Sequence, residues 1–93
     1  MPPLDAKVAD TAPDEPNLTP YDEEHAVIYV RLLDAEKAKA DWQEVATIVL
    51  NIDPVAEPDR ARRAYDSHLA RAKWMTRHGY RQLLRSGWPT PEL

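Results

Sequence analysis

The sequence contains no cysteine. Neither a disulfide nor a thiolate metal site can hold it together, which fits a reducing cytosol. Its histidines, His25, His68 and His78, are too scattered to match a metal-ligand spacing. It has 2 glycines, too few to build a glycine-rich phosphate loop. No apolar run approaches the roughly 20 residues that a membrane span needs. The opening stretch, MPPLDAKVAD, lacks the basic start and apolar core of a secretory signal. These absences predict a cytoplasmic protein with no metal and no cofactor. A chain of 93 residues is enough for one domain. It buries only about 60% of its unfolded surface, so its stability margin is small.

Catalysis is disfavoured by geometry as well. Asp66, Ser67 and His68 are adjacent and superficially resemble a nucleophile with its base. Neighbours on one helix point about 100° apart, so they cannot form the ordered hydrogen-bond chain of a triad. No enzymatic activity is expected.

What the chain does have is charge, unevenly spread. The net charge is -4. Residues 1–24 carry only Lys7 against a row of acids, and residues 25–58 are acidic too. Residues 59–93 are basic, with Arg60, Arg62, Arg63, Arg71, Lys73, Arg77, Arg81 and Arg85. The basic third could meet phosphates, and the acidic remainder would oppose their approach.

Residues 1–18 are rich in Pro, Asp and Ala and show no apolar periodicity, so they read as a disordered acidic tail. The alternative is an acidic segment folded over the basic third. Thr19, Pro20 and Asp22 supply a cap, a proline at the first helical position and an acid three residues after the cap. The first helix is predicted to run to about Lys39, with Tyr21, His25, Ile28, Leu32 and Ala35 on one stripe. Val27 and Val30 fall well off that stripe. Asp41, with Glu44 three residues on, caps a second helix whose inner face is Trp42, Val45, Ala46 and Val49. It is expected to stop near Asn51, a residue that tolerates the left-handed conformation. Residues 51–58, with two prolines, form a connector.

The third helix is long, from Pro58 or Asp59 to about Gly79. Its inner stripe is Ala61, Ala64, Tyr65, His68, Leu69, Ala72 and Met75. The opposite side carries Arg62, Arg63, Asp66, Ala70, Lys73, Trp74 and Arg77. A short fourth helix, Tyr80 to Arg85, would return Tyr80, Leu83 and Leu84 to the core, and residues 87–93 are a tail. The fold class is all-α: a small helical domain over 19–86, an extended-turn variant of the helix-turn-helix. Where the common form has a glycine and a short turn, this chain has Leu50 and a connector reaching Pro58. A plain three-helix bundle shares the same order of elements.

The runs YVRLLDAE, DWQEVATIV and SHLARAKWMTRHGYRQLL resemble the bacterial "domain of unknown function 2285" family over residues 21 to 85. The resemblance implies an extended-turn helix-turn-helix domain found in regulators of integrative and conjugative elements. Activators of the FseA type carry it after a separate N-terminal domain. One basic face binds DNA and the opposite face docks on that N-terminal domain. QseM-like antiactivators consist of the domain alone, with an acidic surface, and compete for the docking site. The short acidic chain looks like the second kind. Its implied partner is a protein, the N-terminal domain of an FseA-type activator, with a LuxR-type quorum-sensing regulator as a second candidate. A monomer without specific DNA binding is expected.

Two sets of candidate residues follow. Arg60, Arg63, Ser67 and Arg71 lie on or beside the outer side of the third helix, where such positions reach the major groove. Asp53, Glu57, Asp59 and Asp66 surround them, and alternating charge on an exposed helix is usually a solvated face. They are therefore read as vestigial DNA-facing residues. Val27, Val30 and Trp74 are apolar groups outside the inner stripes and are the candidate partner-binding surface. Trp74 is either an exposed anchor or a ring covered by Tyr80 or Trp88.

Overall fold

The computed structural model describes residues 7–79. The expected fourth helix, Tyr80 to Arg85, and the tail 87–93 lie outside the described residues, as do residues 1–6. Every regular element that is described is helical: α1 (Pro20–Glu24), α2 (Ala26–Lys37), α3 (Trp42–Ile48), α4 (Pro58–Trp74) and a π-helical turn (Met75–Gly79). The order α2, α3, irregular connector and α4 is a helix-turn-helix with an extended turn.

The first predicted helix is divided. Thr19 caps α1 with its hydroxyl on the Asp22 amide, while the Asp22 carboxylate returns to the Thr19 amide. The helix then breaks at His25, whose backbone sits at φ -104 and ψ 14. The His25 ring bonds the Tyr21 carbonyl one turn back through Nδ1 and the Lys7 carbonyl through Nε2. Such side-chain bonds to backbone compete with a regular ladder. The spacing rule sees the stripe but not this competition. In α2, Ile28 and Leu32 are fully buried. Tyr29, which the stripe omits, is buried too.

Asp41 caps α3 through the Glu44 amide. Val45 and Ala46 are buried, and Trp42 packs half-buried at the core edge beneath the Arg62 guanidinium. Asn51 adopts φ 57, the left-handed conformation anticipated from its type. The connector drops Leu50 and Ile52 into the core and leaves Val55 exposed.

Helix α4 is the centre of the fold: α2, α3 and the π turn all pack on it. Its inner stripe is buried at every predicted position, from Ala61 through Met75. One core joins Ile28, Leu32, Val45, Ala46 and Leu69 with Tyr65. A smaller one joins Tyr29, Ala72 and Met75, with Leu18, Leu33 and Trp74 at its edge.

The N-terminal segment departs most from the sequence reading. Residues 7–18 do not trail away as a disordered tail but lie against α1 and α4. Val8 is buried in the main core, and Ala12 is buried as well. The alternative, an acidic segment over the basic third, describes this arrangement.

Candidate functional site

Helix α4 is where a domain of this kind would meet DNA, so the state of its side chains decides what the domain can do. Arg71 belongs to a row, Ala64, His68, Arg71 and Met75, that faces inward. It is buried, and its guanidinium grips Asp22 through Nε at 2.9 Å and Nη2 at 2.6 Å. Asp22 is fully buried and also accepts from the Tyr29 hydroxyl at 2.8 Å. Burial alone would push the Asp22 carboxyl up, but Arg71, Thr19 and Tyr29 together hold it below the usual 3.8. The same Asp22 bond raises the Arg71 pKa further. Burial and donation to Asp22 push the Tyr29 phenol well above its ordinary range. In this arrangement the Arg71 guanidinium is anchored on Asp22, and its remaining donors are covered by the Glu15 and Asn17 carbonyls.

The other outer cations are also engaged. Arg60 bonds Asp10 at 2.6 Å and Glu57 at 3.0 Å, and Arg62 bonds Asp66 at 3.0 Å. Lys73 reaches across to Glu36 of α2 at 2.7 Å. Among the cations of α4 and the π turn, Arg63 and Arg77 alone have no ion pair to described residues. Ser67 is committed as well: its hydroxyl takes the Ala12 amide and donates to the Ala64 carbonyl. The structure thus brings Arg60, Ser67 and Arg71 together under the N-terminal segment and leaves Arg63 outside it.

A second polar chain runs beneath. The Ala9 amide donates to the Tyr21 hydroxyl, which meets Nε2 of His68, and Nδ1 of His68 meets the Ala64 carbonyl. This arrangement uses one proton on the imidazole, on Nδ1. Burial lowers the His68 pKa below its ordinary 6.5, although the Ala64 bond opposes that shift.

The candidate partner-binding residues differ in exposure. Val30 is 38% exposed on the side of α2 away from the core, and Val27 is half-buried. Trp74 is half-buried at the edge of the smaller core, with the Arg71 guanidinium 3.9 Å from its ring centre. Cover by Tyr80 or Trp88 would lie outside the described residues. The exposed apolar side chains that sequence reasoning missed are Ile48 and Val55, both beside the turn. From Asp41 to Asp59 the chain carries Asp41, Glu44, Asp53, Glu57 and Asp59, and no Lys or Arg. Among the described residues no group of His, Asp and Glu is placed to hold a metal ion, and no helix is long and apolar enough to cross a membrane.

Residues 4–85 match the family model described as "T6SS, Transcription factor, DNA binding domain", named for the RovC DNA-binding domain. No curated protein matches the chain. The match shares its class with the resemblance read from the sequence: a small helical domain of transcriptional regulators. It also takes in most of the N-terminal segment, which packs on α4.

Proposed function

The chain belongs to this family of transcription-factor DNA-binding domains, and from that premise we propose that it is a transcriptional antiactivator. On this reading it binds the N-terminal domain of a cognate activator of the FseA type by imitating that activator's own helix-turn-helix partner domain. It thereby represses transfer of an integrative and conjugative element. It acts in the cytoplasm as a monomer, and a LuxR-type quorum-sensing regulator is a second candidate partner.

One observation carries the reading: Arg60, Arg62, Arg71 and Lys73 of α4 are paired with this chain's own carboxylates. DNA affinity comes largely from neutralising phosphates with release of counterions. A cation already neutralised in the fold contributes little to that term. The stretch from Asp41 to Asp59, with five acids and no Lys or Arg, adds negative charge that opposes phosphate approach to the motif. The contact surface proposed for the activator is the outer side of α2, with Val27 and Val30, extended by Trp74.

The test pairs two titrations. Labelled promoter DNA at about 0.1 M salt, where the Debye length is about 10 Å, should bind weakly and without sequence preference. The activator's N-terminal domain should bind the parent well and the Val30→Asp variant poorly at unchanged helical content. Trp74→Ala should weaken binding too, but its ring also covers Arg71, so its fold must be checked on the same sample. Sub-micromolar, sequence-selective DNA binding would sink the proposal. It would favour the second reading, a small DNA-binding regulator, which the exposed Arg63 and Arg77 support.

A further inference from the structure

The way residues 7–17 are held is unlike ordinary core packing. Five of their contacts are to main-chain atoms: Lys7 carbonyl to His25, Ala9 amide to Tyr21, Ala12 amide to Ser67, and the Glu15 and Asn17 carbonyls to Arg71. Asp10 adds a side-chain hydrogen bond to Arg60, and apart from these only Val8 and Ala12 are buried. Between this segment and α4, beside Pro13, Ala70 and Trp74, an open groove of about 440 Å³ remains unfilled. The segment is clamped at points rather than packed along its length. Its acids, Asp10, Asp14 and Glu15, line the flank that holds Arg60, Ser67 and Arg71. From Arg60 to Arg71 the helix rises about 16 Å, the axial length of about five nucleotides of one strand.

We propose that residues 7–17 are a cis-acting cover over a phosphate-binding flank of α4, and that this flank binds a nucleic-acid backbone when the cover lifts. The chemistry of exchange is direct. Two outward donors of Arg71 now hold carbonyl oxygens and can hold phosphate oxygens instead. Arg60 exchanges the Asp10 carboxylate for a phosphate, and the uncovered Ser67 hydroxyl can turn its donor from the Ala64 carbonyl to a phosphate oxygen. Asp22 keeps the Arg71 guanidinium in place throughout, so lifting the cover exposes a preset donor pair rather than a loose side chain. Lifting also carries three carboxylates away from the flank. The proposal rests on the reading of α4 as the helix on the DNA side, and with it the covered domain is expected to bind DNA weakly.

The test uses the full chain. Ala12 packs against α4 at 6% exposure beside Ser67, so Ala12→Gln sets a longer polar side chain between the segment and the helix and loosens the segment without adding charge. Asp10→Asn with Glu15→Gln weakens the cover by charge instead. Amide exchange of Ala9 and Ala12 reports the lifting. Affinity for a mixed-sequence 20-base-pair duplex is then measured over a range of salt. The expected result is a gain of about tenfold at 0.1 M salt, with a salt dependence steeper by about one to two phosphates. Adding Arg60→Ala to Ala12→Gln should remove most of that gain. Unchanged affinity in both cover variants overturns the proposal, and so does a gain that survives Arg60→Ala. Binding of the parent to an activator domain is a separate measurement, so failure of the cover and failure of the antiactivator reading are distinguishable.

Discussion

Arg71 and Arg63 stand two turns apart on one helix, and the two flanks of α4 they mark behave as different materials. On the covered flank, Arg71 is buried between Asp22, Trp74 and two main-chain carbonyls. On the open flank, Arg63 faces solvent, and its neighbour Arg62 reaches only Asp66 and the faces of Trp42 and Tyr65. The difference teaches that helical position alone does not decide a cation's role. What decides it is what the rest of the chain lays against that flank. Here the second layer is an irregular acidic segment more than 50 residues away in sequence, as the contacts of Arg71 with Glu15 and Asn17 show.

The sharpest way to break the comparison is to make the same substitution on each flank. Arg71→Met leaves Asp22 buried without its counter-charge, a situation that typically costs about 3–5 kcal/mol. In a domain of this size each kcal/mol lowers the melting temperature by about 4–8 °C. Arg63→Met should stay within about 0.5 kcal/mol, as exposed substitutions usually do. Equal melting temperatures for the two variants would mean that the Asp22–Arg71 pair is not buried in solution.

Acid should loosen the covered flank before it affects the open one. His68 is held below its ordinary value of 6.5 by burial, so the unfolded chain takes up this proton more readily than the folded one. Its contribution to stability is therefore complete above about pH 6.5 and is lost as pH falls through the lowered folded value. Asp22, held below 3.8 in the fold, adds a second loss with the same sign at lower pH. Urea unfolding between pH 8 and 5 should show the midpoint falling on acidification, and His68→Gln should flatten that slope. A midpoint that rises as pH drops would contradict the neutral, buried imidazole.

Much of this was legible beforehand, and the failures have a common cause. The inner stripe of α4, the Thr19 cap and the left-handed Asn51 are local features, set by side chains within one or two turns of each other. Arg71 also sits at helical spacing from His68 and Met75, so its inward position was readable. Its burial was not, because a charge goes inside only with a partner, and Asp22 lies 49 residues away. The docking of residues 7–17 leaves little trace in side-chain pattern, because five of its fastenings are main-chain amides and carbonyls and only Val8 and Ala12 are buried. A proline-containing stretch without periodicity reads the same whether it is clamped or free.

A milder substitution sharpens the point about main-chain fastening. Ser67→Ala removes the hydroxyl that accepts the Ala12 amide at 3.0 Å. A lost hydrogen bond of this kind costs about 0.5–1.5 kcal/mol. The cost should appear locally, as faster amide exchange at Ala12, more than in global melting. Ala70→Ser, one turn on and exposed, should leave that amide unchanged. Equal exchange in the two variants would mean that the segment is not held through Ser67.

The smallest effect is expected from the one ion pair that joins α4 to α2 across the open side. Lys73 Nζ lies 2.7 Å from Glu36, and both side chains keep nearly half of their surface in water, at 45% and 43%. Such a pair gains little Coulomb energy in high dielectric and gives up side-chain entropy to hold its geometry, so it should contribute about 0.2–1 kcal/mol. Single substitutions cannot isolate it, because Lys73→Ala also removes a stem that covers apolar surface. The proper measurement is a double-mutant cycle of Lys73→Ala and Glu36→Ala, repeated at low salt and at 1 M salt, where the Debye length shrinks to about 3 Å. The coupling should be near the lower end of that range and should fade in high salt. The Asp22–Arg71 coupling should persist in salt, since ions cannot reach a buried pair to screen it. If instead the Lys73–Glu36 coupling exceeds about 2 kcal/mol and survives 1 M salt, the open side of α4 is shielded by another part of the chain. The two flanks would then differ in degree and not in kind.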